Sequence, residues 1–356
     1  MKNSDSILSQ TISFLRFPLI VGVVFIHANF SNLMIDGVDV SQTEGFPVYQ
    51  TISLLCSNII ARICVPLFFF ISGFLFFYKS EFSLFMYLYK LKKRVHTLLV
   101  PYLFWNFLVI VLYFLVQSLF PGLTSGMNTP VSEYTLTDWV MAFWSVHADM
   151  PISGQFWFIR DLMVIVLLTP LVYYSIKYVR VFIVLLLGLF WFFDYWFSFV
   201  GFSITAFFFF TAGAWFSINK VDFVQIMRPW LYPASVLYIV LVSILLLYEC
   251  NAYMLNMSIV IGIISIVAIS SYSLERGVWT VNSFLSDASF FIFAYHSMLL
   301  LFCGKVLFKI IAPDSSILLL LIYLGSIAFV VFLGLGLYYF LRKKLPQFTS
   351  VITGGR

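Results

Sequence analysis

The chain has 356 residues, 62% of them hydrophobic and 10% charged, with a mean hydropathy of +1.02, whereas soluble domains carry about 25% charged residues. This excludes an ordinary soluble enzyme and predicts an all-α polytopic membrane protein. The formal net charge of +5 sits in juxtamembrane segments, not on a basic surface, which excludes a nucleic-acid partner and leaves membrane lipids as the constant one.

A helix needs about 20 apolar residues to cross the hydrocarbon. Such windows lie near 14–33, 58–78, 96–119, 155–175, 180–198, 201–217, 231–249, 254–273, 287–311 and 317–341, so ten transmembrane helices are expected. Lys and Arg gather in alternate loops, as the positive-inside rule requires: Lys79, Lys90, Lys92, Lys93 and Arg94 in one, Lys177 and Arg180 in another, then Lys220 and Arg228, Arg276, and Arg342 to Lys344. The opposite loops hold only Lys305 and Lys309 among many acids. Both termini are therefore expected in the cytoplasm.

The first helix contains Arg16 and lacks a small-residue cleavage site after Ala28, so it reads as a retained span and not a signal peptide. Two outward loops, about 34–57 and 120–154, are long enough to be functional. Within the second, Leu136, Trp139, Val140, Phe143 and Trp144 share one helical face, the pattern of a helix lying on the membrane. Cys56, Cys64, Cys250 and Cys303 show no metal spacing; Cys56 and Cys250 share the outward side. The whole of 1–356 reads as one membrane domain with short cytoplasmic tails, 1–13 and 342–356, and no fused soluble module.

Ionisable groups inside apolar spans are costly and mark functional sites by default. Arg16 and His27 are eleven residues apart, which puts them on nearly one helical face about 16.5 Å apart along the axis. Arg16 falls near the cytoplasmic boundary and His27 in the outer half. The second and fourth helices run the other way, so Arg62, Arg160 and Asp161 share His27's level. Ser72 and Gly73 fall near the level of Arg16, above the basic run that includes Lys93 and Arg94. The result is a polar route with a basic cytoplasmic mouth and an outer chamber holding an imidazole. Such a route suits transfer from an anionic cytosolic donor, with Arg16 and nearby lysines on phosphate and His27 as general base.

Each residue also has a plainer reading. Arg16 can be a flanking charge that snorkels to the headgroups. Arg62 and Asp161 can form a structural ion pair, and Arg160 can simply tie down the 120–154 loop. Ser72 and Gly73 can be close-packing small residues, and His296 can line the route or merely bond within its surroundings. His27, His96, His147 and His296 are scattered without metal-ligand spacing, so no metal is expected.

Arg16 and His27 also form an Arg-x10-His pair, followed by Val65-Pro-Leu-Phe-Phe-Phe-Ile-Ser-Gly73, Lys93-Arg-Val-His-Thr-Leu-Leu-Val-Pro-Tyr102, Gly154-Gln-Phe-Trp-Phe-Ile-Arg-Asp-Leu162 and Ser289-Phe-Phe-Ile-Phe-Ala-Tyr-His296. In these segments and their order the chain resembles the membrane acyltransferase-3 family. The resemblance implies a multi-pass protein of the bacterial inner membrane that takes an acyl group, usually from acetyl-CoA, and delivers it to a hydroxyl of an envelope glycan or lipid-linked sugar. Carried over by position, it implies His27 as catalytic base and Arg16 as a CoA-phosphate or donor-binding residue; depth sets Ser72, Lys93 and Arg94 beside Arg16 on the donor side and Trp157 and His296 along the substrate path. Arg62, Arg160 and Asp161 join the catalytic set through their depth. Some relatives carry an additional soluble esterase-like domain, so a later transfer step here would need a separate envelope protein. Two readings outside the family are a transporter or flippase using the Arg and His groups as a relay, and a non-catalytic scaffold.

Overall fold

The computed structural model describes residues 4–28, 30, 34–35, 38–39, 45–120, 129–146, 149–248 and 251–355. Backbone polar groups in hydrocarbon must be satisfied within their own segment, and the apolar windows accordingly form helices in chain order. These are α1 (Ser4–His27), α2 (Pro47–Ser53), α3 (Cys64–Phe77), α4 (Leu84–Arg94), α5 (Val100–Leu119), α6 (Leu136–Trp144), α7 (Trp157–Leu167) and α8 (Thr169–Val179). They continue with α9 (Val181–Phe192), α10 (Ile204–Ile218), α11 (Phe223–Met227), α12 (Leu231–Leu247), α13 (Ala252–Glu275), α14 (Ser283–Ile311), α15 (Ser316–Lys344) and α16 (Pro346–Thr353). The described extended structure is a two-residue antiparallel ladder, Met34–Ile35 against Val38–Asp39.

The chain is an integral membrane protein: seven of the described helical runs are long and apolar enough to cross a bilayer. An eighth expected span is the pair α7 and α8, bent by 61° at Leu168, where Pro170 has no amide to continue the helical ladder to the Val166 carbonyl, which accepts from Thr169 Oγ1 at 2.8 Å instead. The windows expected at 180–198 and 201–217 form α9 and α10, of 12 and 15 residues, shorter than the roughly 20 a straight crossing takes.

Three boundaries differ from the sequence expectation. Residues 47–57, expected in an outward loop, are helical and run through a π turn (Leu54–Ile59) and a 3-10 turn (Ile60–Ile63) into α3. Ser53 and Ser57 lower the hydropathy there, yet their hydroxyls donate to the carbonyls of Gln50 (3.1 Å) and Phe25 (2.6 Å), so the stretch carries its polar groups satisfied. The basic segment before α5 is helical as well, because α4 leads through Val95–Leu99 without a break. The tail expected from 342 is ordered through α16, whose end is capped by Gly354 at φ +71°. His147 and Cys250 lie outside the described residues; Cys56, Cys64 and Cys303 are free thiols.

The chain divides into two units, each assembled from three separate stretches: 1–22, 58–95 and 161–289 in the first, 23–57, 96–160 and 290–356 in the second. In the first, α3 packs on α10 at backbone distance. A Cβ on Gly73 would meet the Phe210 carbonyl group, and one on Gly213 would meet that of Phe70, the use of small residues typical of helix contacts in lipid. Phe70, Phe74 and Phe223 close the rim edge to face, the arrangement ring quadrupoles favour. Ser235 and Ser265 share a 2.9 Å hydrogen bond between α12 and α13. In the second unit, α16 folds onto α5, where Trp105 Nε1 donates to the Ile352 carbonyl at 2.9 Å. Tyr323 of α15 donates to Ser57 Oγ at 2.7 Å, since that hydroxyl already gives its proton to Phe25. The expected surface helix is α6, with Leu136 and Val140 exposed and Ala142 fully buried.

Candidate functional site

In the second unit, His27 closes the last turn of α1, and its ring lies 5.1 Å from that of His296, centroid to centroid and tilted by 60°. His296 is fully buried in α14. Its Nδ1 lies 2.7 Å from the Phe293 carbonyl oxygen and 3.2 Å from that of Ile292. A carbonyl only accepts, so Nδ1 carries the proton and Nε2 presents a lone pair. That Nε2 is buried without a hydrogen-bond partner among the described residues. Buried polar atoms are normally satisfied, and one left open beside a second imidazole marks a place where a proton or a hydroxyl can be received. Sequence depth put His296 on the substrate path; the structure brings it to His27.

A strap of polar side chains holds the segment before α7. Asn106 Nδ2 donates to the Tyr102 carbonyl (2.8 Å), and Asn106 Oδ1 accepts from the Ser153 amide (3.2 Å). The Tyr102 hydroxyl donates to the Phe143 carbonyl. Gln155 Nε2 donates to the Ala294 carbonyl at 2.9 Å, two residues before His296. Arg160, 3% exposed, donates from Nη1 to the carbonyls of Trp144 (2.6 Å) and Asp149 (2.7 Å) and covers the Trp144 ring at 5.6 Å. These bonds suit the loop-tying role that the sequence allowed Arg160 beside a catalytic one. Trp157, at the start of α7, is half-buried.

The first unit holds the remaining groups. Arg16 is half-buried in α1 and interacts electrostatically with Asp287 of α14. Asp161 is buried at 2% exposure, while Arg62, in the 3-10 turn, is exposed. Ser72 is half-buried beside the tightly packed Gly73. Lys93 is exposed and Arg94 half-buried in the last turn of α4. Lys90 donates to Ser80 Oγ at 2.7 Å and to the Phe76 carbonyl. A cavity of about 860 Å³ opens beside Leu8 of α1, lined by Lys79, Lys220, Glu81, Asp222 and an aromatic wall in which Phe82 stacks on Tyr173 at 4.2 Å. None of Arg16, Ser72, Lys93 and Arg94, the residues the sequence put on the donor, lines it.

The sequence reading missed Asp287, Gln155 and Asn106. Asp287 carries a visible signal, a carboxylate at the start of an apolar window; the other two are neutral amides whose importance comes only from what they touch. Among the described residues no three His, Cys, Asp or Glu side chains gather as a metal set.

The profile of the family described as acyltransferase domain matches residues 10–339. The chain is 28% identical over 185 residues to the succinoglycan biosynthesis protein ExoH of Rhizobium meliloti (strain 1021), a stretch covering 52% of this chain and 48% of that protein. The chain thus spans about half the length of the curated relative it matches. No solved structure matches it.

Proposed function

Because this chain belongs to the acyltransferase-3 family over nearly its whole length, we propose that it transfers an acetyl group from cytoplasmic acetyl-CoA to a hydroxyl of a bacterial envelope glycan or lipid-linked sugar. The relative's name places that protein in succinoglycan biosynthesis, which favours a polysaccharide acceptor. The reading sets the protein in the inner membrane with both termini in the cytoplasm, as the distribution of Lys and Arg favours.

The observation that carries the proposal is the His27–His296 pair. His27 takes the proton of the acceptor hydroxyl as its oxygen attacks the thioester carbonyl. The tetrahedral oxyanion collapses, the C–S bond breaks, and the proton on His27 passes to the departing thiolate, leaving free CoA and the acyl ester. His296, held as the Nδ1–H tautomer by Phe293 and Ile292, turns a lone pair and not a second N–H toward its surroundings, so it steadies the imidazolium of His27 instead of competing with it. Arg16 holds donor phosphate, with Asp287 keeping its guanidinium in place between turnovers. The cavity beside Leu8 offers lysines for phosphates, carboxylates for an exocyclic amine and aromatic rings for a purine.

The test uses purified protein in nanodiscs with labelled acetyl-CoA and an envelope glycan extract, wild type beside His27→Ala. Label should reach glycan with the wild type alone, while both proteins bind CoA. Folded wild type that neither transfers label nor releases CoA would refute the reading and favour a transporter.

A further inference from the structure

Tyr113 and Gln117 of α5 and described residues of the 129–146 and 150–154 stretches line a second cavity, of about 470 Å³, within the second unit. Small-molecule sites occupy about 300–1,000 Å³ and combine apolar walls with a few placed polar groups. This one has that composition. Tyr113, Tyr134, Met141 and Ile152 supply rings and apolar surface, and Gln117, Asp138 and Ser145 supply polar atoms.

Its walls are built to hold a shape. Gln117 Oε1 accepts from the Val131 amide at 2.9 Å, and the Ile152 amide donates to the Ala142 carbonyl at 2.8 Å. Ile110, Val131 and Ala142 form a buried cluster behind the cavity, against which Tyr113, Tyr134 and Ile152 pack. Arg160 pins the two carbonyls at Trp144 and Asp149, on either side of the lining residues Ser145 and Val146. Asp138 is fixed by its Oδ2, which accepts from the Thr135 amide (2.8 Å) and hydroxyl (2.6 Å). A carboxylate has more acceptor capacity than those two bonds use.

The chemistry of the lining selects a ligand. Flat apolar rings suit the C–H faces of a pyranose, while a carboxylate, an amide and hydroxyls suit its ring of alcohols. Among the described residues the lining holds one charged side chain, the carboxylate of Asp138, and no Lys or Arg. An anionic ligand would meet like charge with no partner for its own.

We propose that this cavity is the acceptor subsite and takes a neutral pyranoside ring in preference to a uronate or phosphorylated sugar. The inference rests on the acyltransferase reading and adds the class of acceptor and the place where it docks. Its position agrees with the outward loop expected at 120–154, and the Gln155 bond to Ala294 links its floor to the helix of His296.

The experiment measures transfer of labelled acetyl to glycan extract by full-length protein in nanodiscs, with methyl glucopyranoside and methyl glucuronopyranoside as competitors. The neutral glycoside should compete at least tenfold better than the uronide, and Asp138→Asn should narrow that gap at least threefold. Ser145→Trp, which fills the cavity, should raise the acceptor KM at least tenfold while CoA binding is kept; Tyr134→Ala serves the same purpose if the tryptophan variant does not fold. Equal competition by the uronide, or an acceptor KM within twofold of wild type in a folded cavity variant, would overturn the subsite. Absence of any transfer by the wild type would instead sink the acyltransferase reading beneath it.

Discussion

Replacing His296 with leucine keeps the volume of a buried side chain and removes both ring nitrogens. The Nδ1 bonds to Phe293 and Ile292 lie within one helix, whose carbonyls keep their backbone partners, so their loss is a modest effect on folding. The consequential loss is the Nε2 lone pair, without a hydrogen-bond partner among the described residues, on a ring 5.1 Å from that of His27. A hydrogen bond to a charged group contributes about 1.5–3 kcal/mol. At about 1.36 kcal/mol per decade of rate, His296→Leu should lower kcat by roughly 10- to 150-fold if the lone pair steadies the imidazolium formed on His27. The acceptor and donor KM values should stay within about twofold, because the pair acts after binding. His296→Gln, which keeps a donor and an acceptor on one side chain, should recover part of the lost rate. The assay is steady-state release of CoA in nanodiscs with saturating glycan extract, beside a thermal unfolding curve for each variant. A folded leucine variant with kcat within threefold of wild type would refute the reasoning, and so would a glutamine variant no faster than leucine.

Two further outcomes follow from packing and capping. Gly213→Ala puts a methyl 2.8 Å from the Phe70 carbonyl carbon and 2.9 Å from the Phe74 nitrogen; as backbone cannot swing aside, destabilisation should reach the upper part of the about 1–3 kcal/mol typical of overpacking, whereas Gly325→Ala, with nothing within 4 Å, should be silent in the same thermal assay. Asp138 is held below the ordinary carboxylate value of 3.8 by hydrogen bonds from the side chain and then the backbone of Thr135, so the stability it gives α6 is complete above that value and fades as pH falls through the lower, folded one. Amides of residues 136–139 should therefore exchange faster at pH 3 than at pH 6 relative to the exchange chemistry of the free chain; an unchanged protection ratio would count against the cap.

Much of this architecture was legible because a bilayer permits few solutions. Runs such as Ala252–Glu275 and Ser316–Lys344 read as helices from hydropathy alone, and the alternation of Lys and Arg ordered them. What escaped was structure carried by neutral polar groups. The stretch Ser53 to Ser57 reads as loop because its hydroxyls lower the hydropathy, but Ser57 is satisfied by Phe25 and Tyr323, which no window average registers. The basic run ending at Arg94 reads as a loop because Lys90, Lys92, Lys93 and Arg94 crowd its last turns and outweigh the apolar Leu84, Phe85 and Leu88 before them.

Of the two pairs, Arg16, His27 and His296 were legible as candidate residues and Asp287 was not. Arg16 and His27 stand out because charge in an apolar helix is conspicuous, and their spacing of eleven residues is local to α1. Their neighbours come from α14, more than 260 residues later, and only the fold discloses that Asp287 answers Arg16 and His296 answers His27. The depth of Arg160 in the sequence suits a catalytic cation, and its Nη1 also gives to the carbonyls of Trp144 and Asp149, so the same side chain fixes a wall of the cavity proposed for the acceptor.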